Sequence, residues 1–521
     1  MAGTLALQLY GCVLAYCFLY LCVKTKYAGT PLYLLLCSFF TALSLSFFAF
    51  GYDFTPDLVT AAMETNTTEA SAFFTLASAS GFCGLMLVSW GILYAFRKLC
   101  GSHENASRRW HIGTYGTALI VMGATYMLPS LIFFWIPWGS KNVPEYVVRH
   151  LAGDEIRWNP FFHMPNYRAP YESFSNHYRK PFSNLATLNT GLKDYLTPQQ
   201  ITDSATAPST EIPPHKDFIC VLAVGESIRA DHWGINGYAR NTTPKLGNER
   251  NLFNLSRMFS FGASTDPSFR SILTGQLTNN QTAFRTSFLS ILKKHGYTCS
   301  YITENADDMT TTRRNRHIIG DYIDTRLSLS GSISDVSAAW RKALPSSGKH
   351  CIILQNGTGH YPYPHDKEFS IFTDGKGDNR ILVNNYDNCV LAMDSLYESV
   401  IASLADKNAV LIYCSDHGEM LGEDGKWHHG DENEPILHRV AAFVWFSDTF
   451  IANNRELVEG IARQKDIPLA QGQLYATILR LCHISTEASL EIGDIATDSL
   501  LSHPENNLPE TIKNEILEYK K

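Results

Sequence analysis

The stretch "FICVLAVG", Phe218–Gly225, is a continuous apolar run that passes directly into Glu226. Eight residues are too few for a core helix, and the absence of polar alternation means that both faces are covered. Such a run reads as a strand buried inside a sheet. Four more runs further along share this character: "YTCSYIT", "HCIILQNG", "AVLIYCS" and "VAAFVWF". Helical stretches lie between them, such as Ser287–Lys294 and Asn384–Leu404. Apolar strands alternating with helices predict an α/β domain with a mostly parallel central sheet. Its site is expected where the strands end, at their carboxyl edge.

The strand ends carry ionisable groups. "VLAVG" runs into Glu226, "LIYCS" into Asp416-His417-Gly418-Glu419, and "IILQNGTG" into His360. Any one of these alone is an ordinary loop carboxylate or a satisfied histidine. Three strand ends of the same character point to a site, and a mixed oxygen and nitrogen set suits Zn²⁺.

A hydroxyl completes that set. In "SFGASTDPSFRSILTG", Ser260–Gly275, Pro267 suits a first helical position and Asp266 a cap before it. The stretch predicts a helix from Pro267, with Phe269, Ile272 and Leu273 inward and Gly275 as its stop. Thr265 then stands just ahead of the helix, where free N–H groups favour negative charge. Taken alone this is ordinary turn chemistry. Beside a metal the same hydroxyl becomes a nucleophile, with Ser264 and Ser268 as bystanders. His360, His429 or both could bind phosphoryl oxygens or protonate a leaving group. His428 could replace His429, and His438 lies nearby in sequence.

The first quarter of the chain differs. Four segments, Thr4–Val23, Pro31–Phe50, Phe73–Phe96 and Thr114–Trp138, are long enough to cross a bilayer. Lys24 and Lys26 follow the first, and Arg97, Lys98, Arg108 and Arg109 lie between the third and fourth. The loop between the second and third carries Asp53, Asp57, Glu64 and Glu69 and no basic residue. The basic loops are therefore expected in the cytoplasm, and the acidic loop and everything after Trp138 outside. The first segment lacks a basic flank ahead of it and is expected to stay as an anchor. Residues 139–216 are irregular, with aromatic and basic stretches such as "RWNPFFHMPNYRAPYESF" expected at the membrane interface.

The whole chain has 521 residues, 18% of them charged and 45% hydrophobic, with a net charge of −7. That balance offers no basic surface for nucleic acid. Of twelve cysteines, Cys220, Cys299, Cys351 and Cys414 fall inside expected strands, and Cys389 and Cys482 on expected helices. Strand-interior cysteines behave as small buried hydrophobes, so most or all of these six are expected free.

The blocks "VGESIRADHWGINGYARNTTPKL" from Val224, "FGASTDPSF" from Phe261, "GTGHYPYPH" from Gly357 and "SDHGEMLGEDGKWHHG" from Ser415 resemble the phosphoethanolamine transferases of Gram-negative inner membranes. These belong to the alkaline phosphatase and sulfatase superfamily. "ETNTTEAS" from Glu64 is similar to a periplasmic loop motif of the same family. The resemblance implies an α-helical transmembrane domain followed by an alkaline phosphatase-like α/β domain. It implies Glu226, Thr265, Asp416 and His417 as zinc ligands, with Thr265 also the nucleophile. It implies His360 and His429 as the pair that handles the phosphoethanolamine group, with Glu419 beside it. The donor would be phosphatidylethanolamine and the acceptor lipopolysaccharide, at lipid A or a core sugar, or another periplasmic glycan or lipid.

Three departures accompany this. Four membrane segments stand where many relatives have five. Phe261 and Ser271 replace two cysteines that bracket the nucleophile turn in many relatives. In place of an expected lysine, Arg313 or Arg314 is available. A phosphoglycerol transferase or phosphodiesterase on the same fold, or a non-catalytic membrane assembly factor, are the competing expectations. The domains expected are a transmembrane region over 1–138, a linker over 139–216 and a catalytic domain over 217–521, acting as a monomer among membrane lipids of the inner membrane, with the catalytic domain in the periplasm.

Overall fold

The computed structural model describes residues 200–202, 217–277, 283–304, 318–375, 378–423 and 426–497, together with Pro31, Ser38 and scattered positions from Ser80 to Lys98. The chain divides into two compact units, the first within 1–191 apart from 57–66, with 423–426 added, and the second comprising the rest. In the first unit the described residues between Pro31 and Lys98 are helical, with Trp90 stacked on Tyr94. The four expected membrane segments lie largely outside the described residues, as do the boundaries at 138 and 216 and the "ETNTTEAS" loop. Among the described residues no helix is long and apolar enough to cross a membrane.

The second unit is built around a seven-stranded sheet. Its strands, in a chain order that also includes short outlying pairs, are β2 (Phe218–Gly225), β3 (Leu252–Asn254), β6 (Thr298–Thr303), β7 (Thr325–Ser328), β8 (Lys349–Gln355), β9 (Ala409–Ser415) and β13 (Ala442–Phe446). The outlying strands are β1 (Gln200–Thr202), β4 (Met258–Phe259), β5 (Ala283–Arg285), β10 (Met420–Leu421), β11 (Trp427–His428), β12 (Arg439–Val440) and β14 (Leu469–Ala470). The spatial order is β3-β13-β9-β2-β8-β6-β7. From β9 to β7 all neighbours are parallel. β13 runs antiparallel to both β9 and β3, so the sheet is mixed at that edge.

The residues of β2 alternate between two cores. Phe218, Cys220, Leu222 and Val224 join one, and Ile219, Val221 and Ala223 the other. This is the two-residue period of a strand covered on both faces. The first core is closed by α1 (Thr265–Thr274), α2 (Phe288–Lys294) and, further along, the helix Gln473–Leu481. The second is closed by α3 (Ile333–Ala343) and α4 (Asp378–Leu404), which supply Trp340, Met393, Leu396 and Tyr397. A fully buried aliphatic side chain in either layer contributes roughly 1.5–3 kcal/mol. The architecture is therefore helix, sheet, helix, with the carboxyl ends of β9, β2 and β8 side by side.

A second, three-stranded sheet, ordered β12-β4-β14, lies at that edge. Each strand is only two residues long. Its effect is to bring three chain segments, at Phe259, Arg439 and Ala470, into register.

Candidate active site

The loops leaving β2 and β9 are laced together. Asp416 N–H donates to Gly225 O (3.0 Å), Ser227 N–H to Asp416 Oδ1 (3.0 Å) and Ile228 N–H to Ser415 Oγ (2.6 Å). The block after Glu226 is then clamped to α4. Asp387 takes His232 Nδ1 at 2.6 Å, the Tyr238 hydroxyl at 2.9 Å and Arg240 at 2.6 Å. Tyr386, beside it, donates its hydroxyl to Ser227 O (2.7 Å) and accepts Arg229 N–H (2.9 Å). The aromatic and basic residues of that motif thus hold the Glu226 loop in place.

Glu226, Asp416 and His417 meet in a buried cluster. His417 Nε2 lies 3.3 Å from Glu226 Oε1 and 3.5 Å from Asp416 Oδ2. His417 Nδ1–H donates to Gly418 O (2.8 Å), which turns Nε2 towards the carboxylates. Thr265 Oγ1 stands 3.3 Å from both Glu226 Oε2 and His417 Nε2. Burial opposes charge on Glu226, yet the hydrogen bond and charge of His417 prevail and lower it to about 2. Burial and then the Glu226 carboxylate raise Asp416 to about 6. Burial would lower His417, but the two carboxylates overcome it and raise it to about 10. In the absence of any other cation, a proton on His417 balances this crowd of negative charge.

The donor set fits a divalent metal. One ligand atom from each of Glu226, Asp416 and His417 lies within 4.8 Å of the others. Asp416 Oδ2 is buried and accepts no hydrogen bond. A buried carboxylate oxygen without a donor costs free energy unless a cation satisfies it.

Thr265 sits differently from the sequence expectation. The helix begins at Thr265 with Ser264 as its cap residue, two positions before Pro267. Asp266 does not cap it. Its carboxylate turns inward and pairs with Arg270 one turn on, at 2.8 Å. Gly275, at φ 68°, ends the helix as expected, and a Cβ there would strike the Ile492 side chain. Ser264 makes no side-chain cap bond. In the first turn Thr265 and Asp266 carry N–H groups for which an α-helix supplies no acceptor, while Pro267 has none to satisfy.

The loop before Thr265 is held amide by amide. Ser260 N–H donates to His438 O (2.8 Å), Phe261 N–H to Gln471 Oε1 (3.0 Å), Gly262 N–H to Ser268 Oγ (3.2 Å) and Ala263 N–H to Glu432 Oε1 (2.9 Å). Ser268 has a structural part here, because its buried hydroxyl clasps Gly262 from both sides. His438 is also accounted for. Its ring is buried between Ser260 O and Glu432 O, each at 3.2 Å.

A second group adjoins the first. Glu419 is fully buried, with Oε2 at 2.9 Å from His429 Nδ1 and Oε1 accepting the Tyr363 hydroxyl at 2.8 Å. Burial opposes its charge, but His429 and His428 hold it well below the usual carboxylate range. The His429 ring centre is 4.2 Å from that of His417 and 5.8 Å from that of His360. His417, Glu419 and His429 also meet the geometry of a cation cluster. Both His428 and His429 reach Glu419. It is His429 that faces His417, while His428 packs edge-on against Tyr361 at 4.5 Å.

All seven candidate residues therefore converge. Arg313 and Arg314 lie outside the described residues. Tyr363, Glu432 and Gln471 join the site without any sequence signal, since each is an ordinary residue in an ordinary context.

Comparison with known proteins bears on this geometry. The family described as Sulfatase matches residues 219–484. A Kdo(2)-lipid A phosphoethanolamine 7''-transferase of Salmonella typhimurium is 31% identical over 297 residues, 50% of this chain and 51% of that protein. The chain spans about half the length of the curated relatives it matches. The integral membrane protein lipooligosaccharide phosphoethanolamine transferase A of Neisseria meningitidis superposes with a TM-score of 0.66 at 18% identity, covering 90% of this chain and 87% of that one. The zinc-complexed C-terminal periplasmic domain of EcEptC from Escherichia coli superposes with a TM-score of 0.51 at 19% identity, covering 60% of this chain and 92% of that one. At these identities the superpositions speak to fold alone.

Proposed function

The chain belongs to the sulfatase family, and from that premise we propose that it is a phosphoethanolamine transferase. Its donor is phosphatidylethanolamine, and its acceptor is lipopolysaccharide, at lipid A or a core sugar. The observation that carries this reading is the Thr265 hydroxyl, 3.3 Å from both Glu226 and His417, on the first residue of a helix. The named activities of the curated relatives support it.

Zinc is the ion that Glu226, Thr265, Asp416 and His417 would hold, and when bound it lowers the pKa of the hydroxyl. The chain's own groups do the rest. Thr265 Oγ1 attacks the donor phosphorus, and its bond to phosphorus forms as the bond to the diacylglycerol oxygen breaks. The hydroxyl proton passes to the departing diacylglycerol through His360 or His429. The N–H end of α1, beside Thr265, holds the phosphoryl oxygens. Glu419 fixes the orientation of His429. An acceptor hydroxyl then attacks the phosphothreonine, returns a proton and frees Thr265, the two-step course of covalent catalysis.

Incubation with phosphatidylethanolamine tests this directly. Diacylglycerol should be released, and the peptide containing "GASTDPSF" should gain one phosphoethanolamine. Release of diacylglycerol with no adduct, or glycerophosphate transfer from phosphatidylglycerol instead, overturns the reading. The proposed placement is the inner membrane, with the catalytic domain in the periplasm. A reporter fused after Trp138 should be active only outside the cytoplasm, and one after Cys100 only inside.

A further inference from the structure

Gln471 follows β14 and is fully buried. Its amide has three well-made hydrogen bonds. Oε1 accepts Phe261 N–H at 3.0 Å, and Nε2 donates to both Ser415 O and Asp416 O at 2.6 Å. Its own backbone N–H donates to Phe259 O at 3.0 Å. One planar group therefore joins the loop that leads into Thr265 with the peptide units that carry Asp416 and His417. Those segments are separated by more than a hundred residues of chain.

The residue type matters. A primary amide offers an acceptor and two donors in one plane. A carboxylate could still accept from Phe261, but it would set oxygen against two carbonyl oxygens. An aliphatic chain would take these bonds from three buried backbone groups and leave Ser415 O only the Cys414 thiol, at 3.2 Å. Gly472 fixes how close this turn can come, because a Cβ there would meet Gln276 O at 2.7 Å and Ser271 Oγ at 3.2 Å. Residues 471–472 thus press on both ends of α1.

We infer that Gln471 is a positioning residue that sets the separation between the Thr265 hydroxyl and the Asp416–His417 pair. It touches no reacting atom. It acts through two stretches of backbone, and its loss lets the nucleophile and the metal ligands drift apart. The inference rests on the assignment of those residues in the proposed function, but it makes a claim that does not need the substrate.

The test compares Gln471→Glu with Gln464→Glu in the full chain. Gln464 is also buried and donates its amide to Ile495 O at 2.9 Å, but it lies away from the site, so it measures the cost of the same change to the fold alone. Three quantities are read: zinc retention against a competing chelator, turnover of phosphatidylethanolamine, and amide hydrogen exchange from Phe261 to Thr265. Gln471→Glu should lose about 10–100-fold in zinc affinity, lower kcat by a similar factor with KM within about threefold, and speed exchange in the loop. Gln464→Glu should leave all three near wild type. Zinc affinity and kcat within twofold of wild type in Gln471→Glu overturn the inference, as does an equal loss in Gln464→Glu. If Gln471→Glu exposes the buried thiols and so has not folded, Gln471→Met, uncharged and of similar volume, is judged by the same outcomes. If the wild type neither binds zinc nor turns over donor, the proposed function fails, and exchange in the Phe261–Thr265 loop still decides the role of Gln471.

Discussion

Thr265 carries its hydroxyl 3.3 Å from Nε2 of His417 and belongs to the first turn of its helix. Thr265→Ala should therefore abolish transfer, by about a thousandfold or more. The fold should change by no more than about 1 kcal/mol, since the position is only half-buried and Ala is a good helix former. Thr265→Ser should retain part of the activity, and Ser264→Ala most of it. Ser268→Ala should lose about 1 kcal/mol of stability and some activity, because Gly262 loses its clasp. Kinetics and denaturation midpoints on the four variants check this. An active Thr265→Ala beside an inactive Ser264→Ala would move the nucleophile one residue earlier.

Tyr363→Phe isolates a single hydrogen bond. The ring keeps its edge-on contacts with Tyr361 and Tyr386, while Glu419 Oε1 loses its donor. Stability should fall by about 1–2 kcal/mol and kcat by roughly tenfold, because Glu419 no longer holds His429 in one orientation. Combining it with Glu419→Gln should add little further loss, the sign of residues acting through one another. Independent, additive losses would show that the hydroxyl acts elsewhere.

Burial raises the Glu304 carboxyl to about 7, against an ordinary 4.5. Between those values the folded chain holds a proton that the unfolded chain has released. Stability from this group is therefore complete below pH 4.5 and declines as pH rises towards 7. The full difference is on the order of 3 kcal/mol. Glu304→Gln should be more stable than wild type at pH 8, with the gap closing by pH 4.5. Urea denaturation of metal-stripped protein at three pH values measures it, and a gap independent of pH rejects it.

Cys220, Cys299, Cys351, Cys389, Cys414 and Cys482 are free and buried. Thiol counting on the unfolded, unreduced domain should find all six, and the native domain should react slowly. Two or more disulfides would contradict the arrangement of the strands.

Much of the sheet was legible because its strands are continuous apolar runs. "FICVLAVG" and "AVLIYCS" coincide with β2 and β9. "VAAFVWF" gave a strand but not its direction, since apolarity carries no sign of parallel or antiparallel pairing. It also divides at Ala441, whose N–H leaves the ladder for Ile228 O. α4 starts at Asp378, six residues before Asn384, because three consecutive apolar residues, Ile381 to Val383, show no helical period. The buried cluster of Glu226, Asp416 and His417 was legible because each member follows a strand. The helix start was misplaced because the contact of Asp266 with Arg270 outweighs its cap preference. Gln471 left no trace in the sequence, because its partners are backbone atoms of distant residues, which any sequence would supply.

The cysteines of three neighbouring strands have a further consequence. Cys220 pairs in register with Cys351, and Cys351 with Cys299, so the three stand in a row on one face. Cys482 meets Cys220 from the adjoining helix end. Burial raises Cys299 to about 12 and Cys351 and Cys482 well above their ordinary value, so these three present almost no thiolate while the domain is folded. Unfolding returns each thiol to a pKa of about 8.5 and exposes it next to the others. In an oxidising compartment, cross-links among these thiols would hold an opened molecule open. The working lifetime of this protein would then be set by how rarely it opens, a rate, rather than by the equilibrium between folded and unfolded forms.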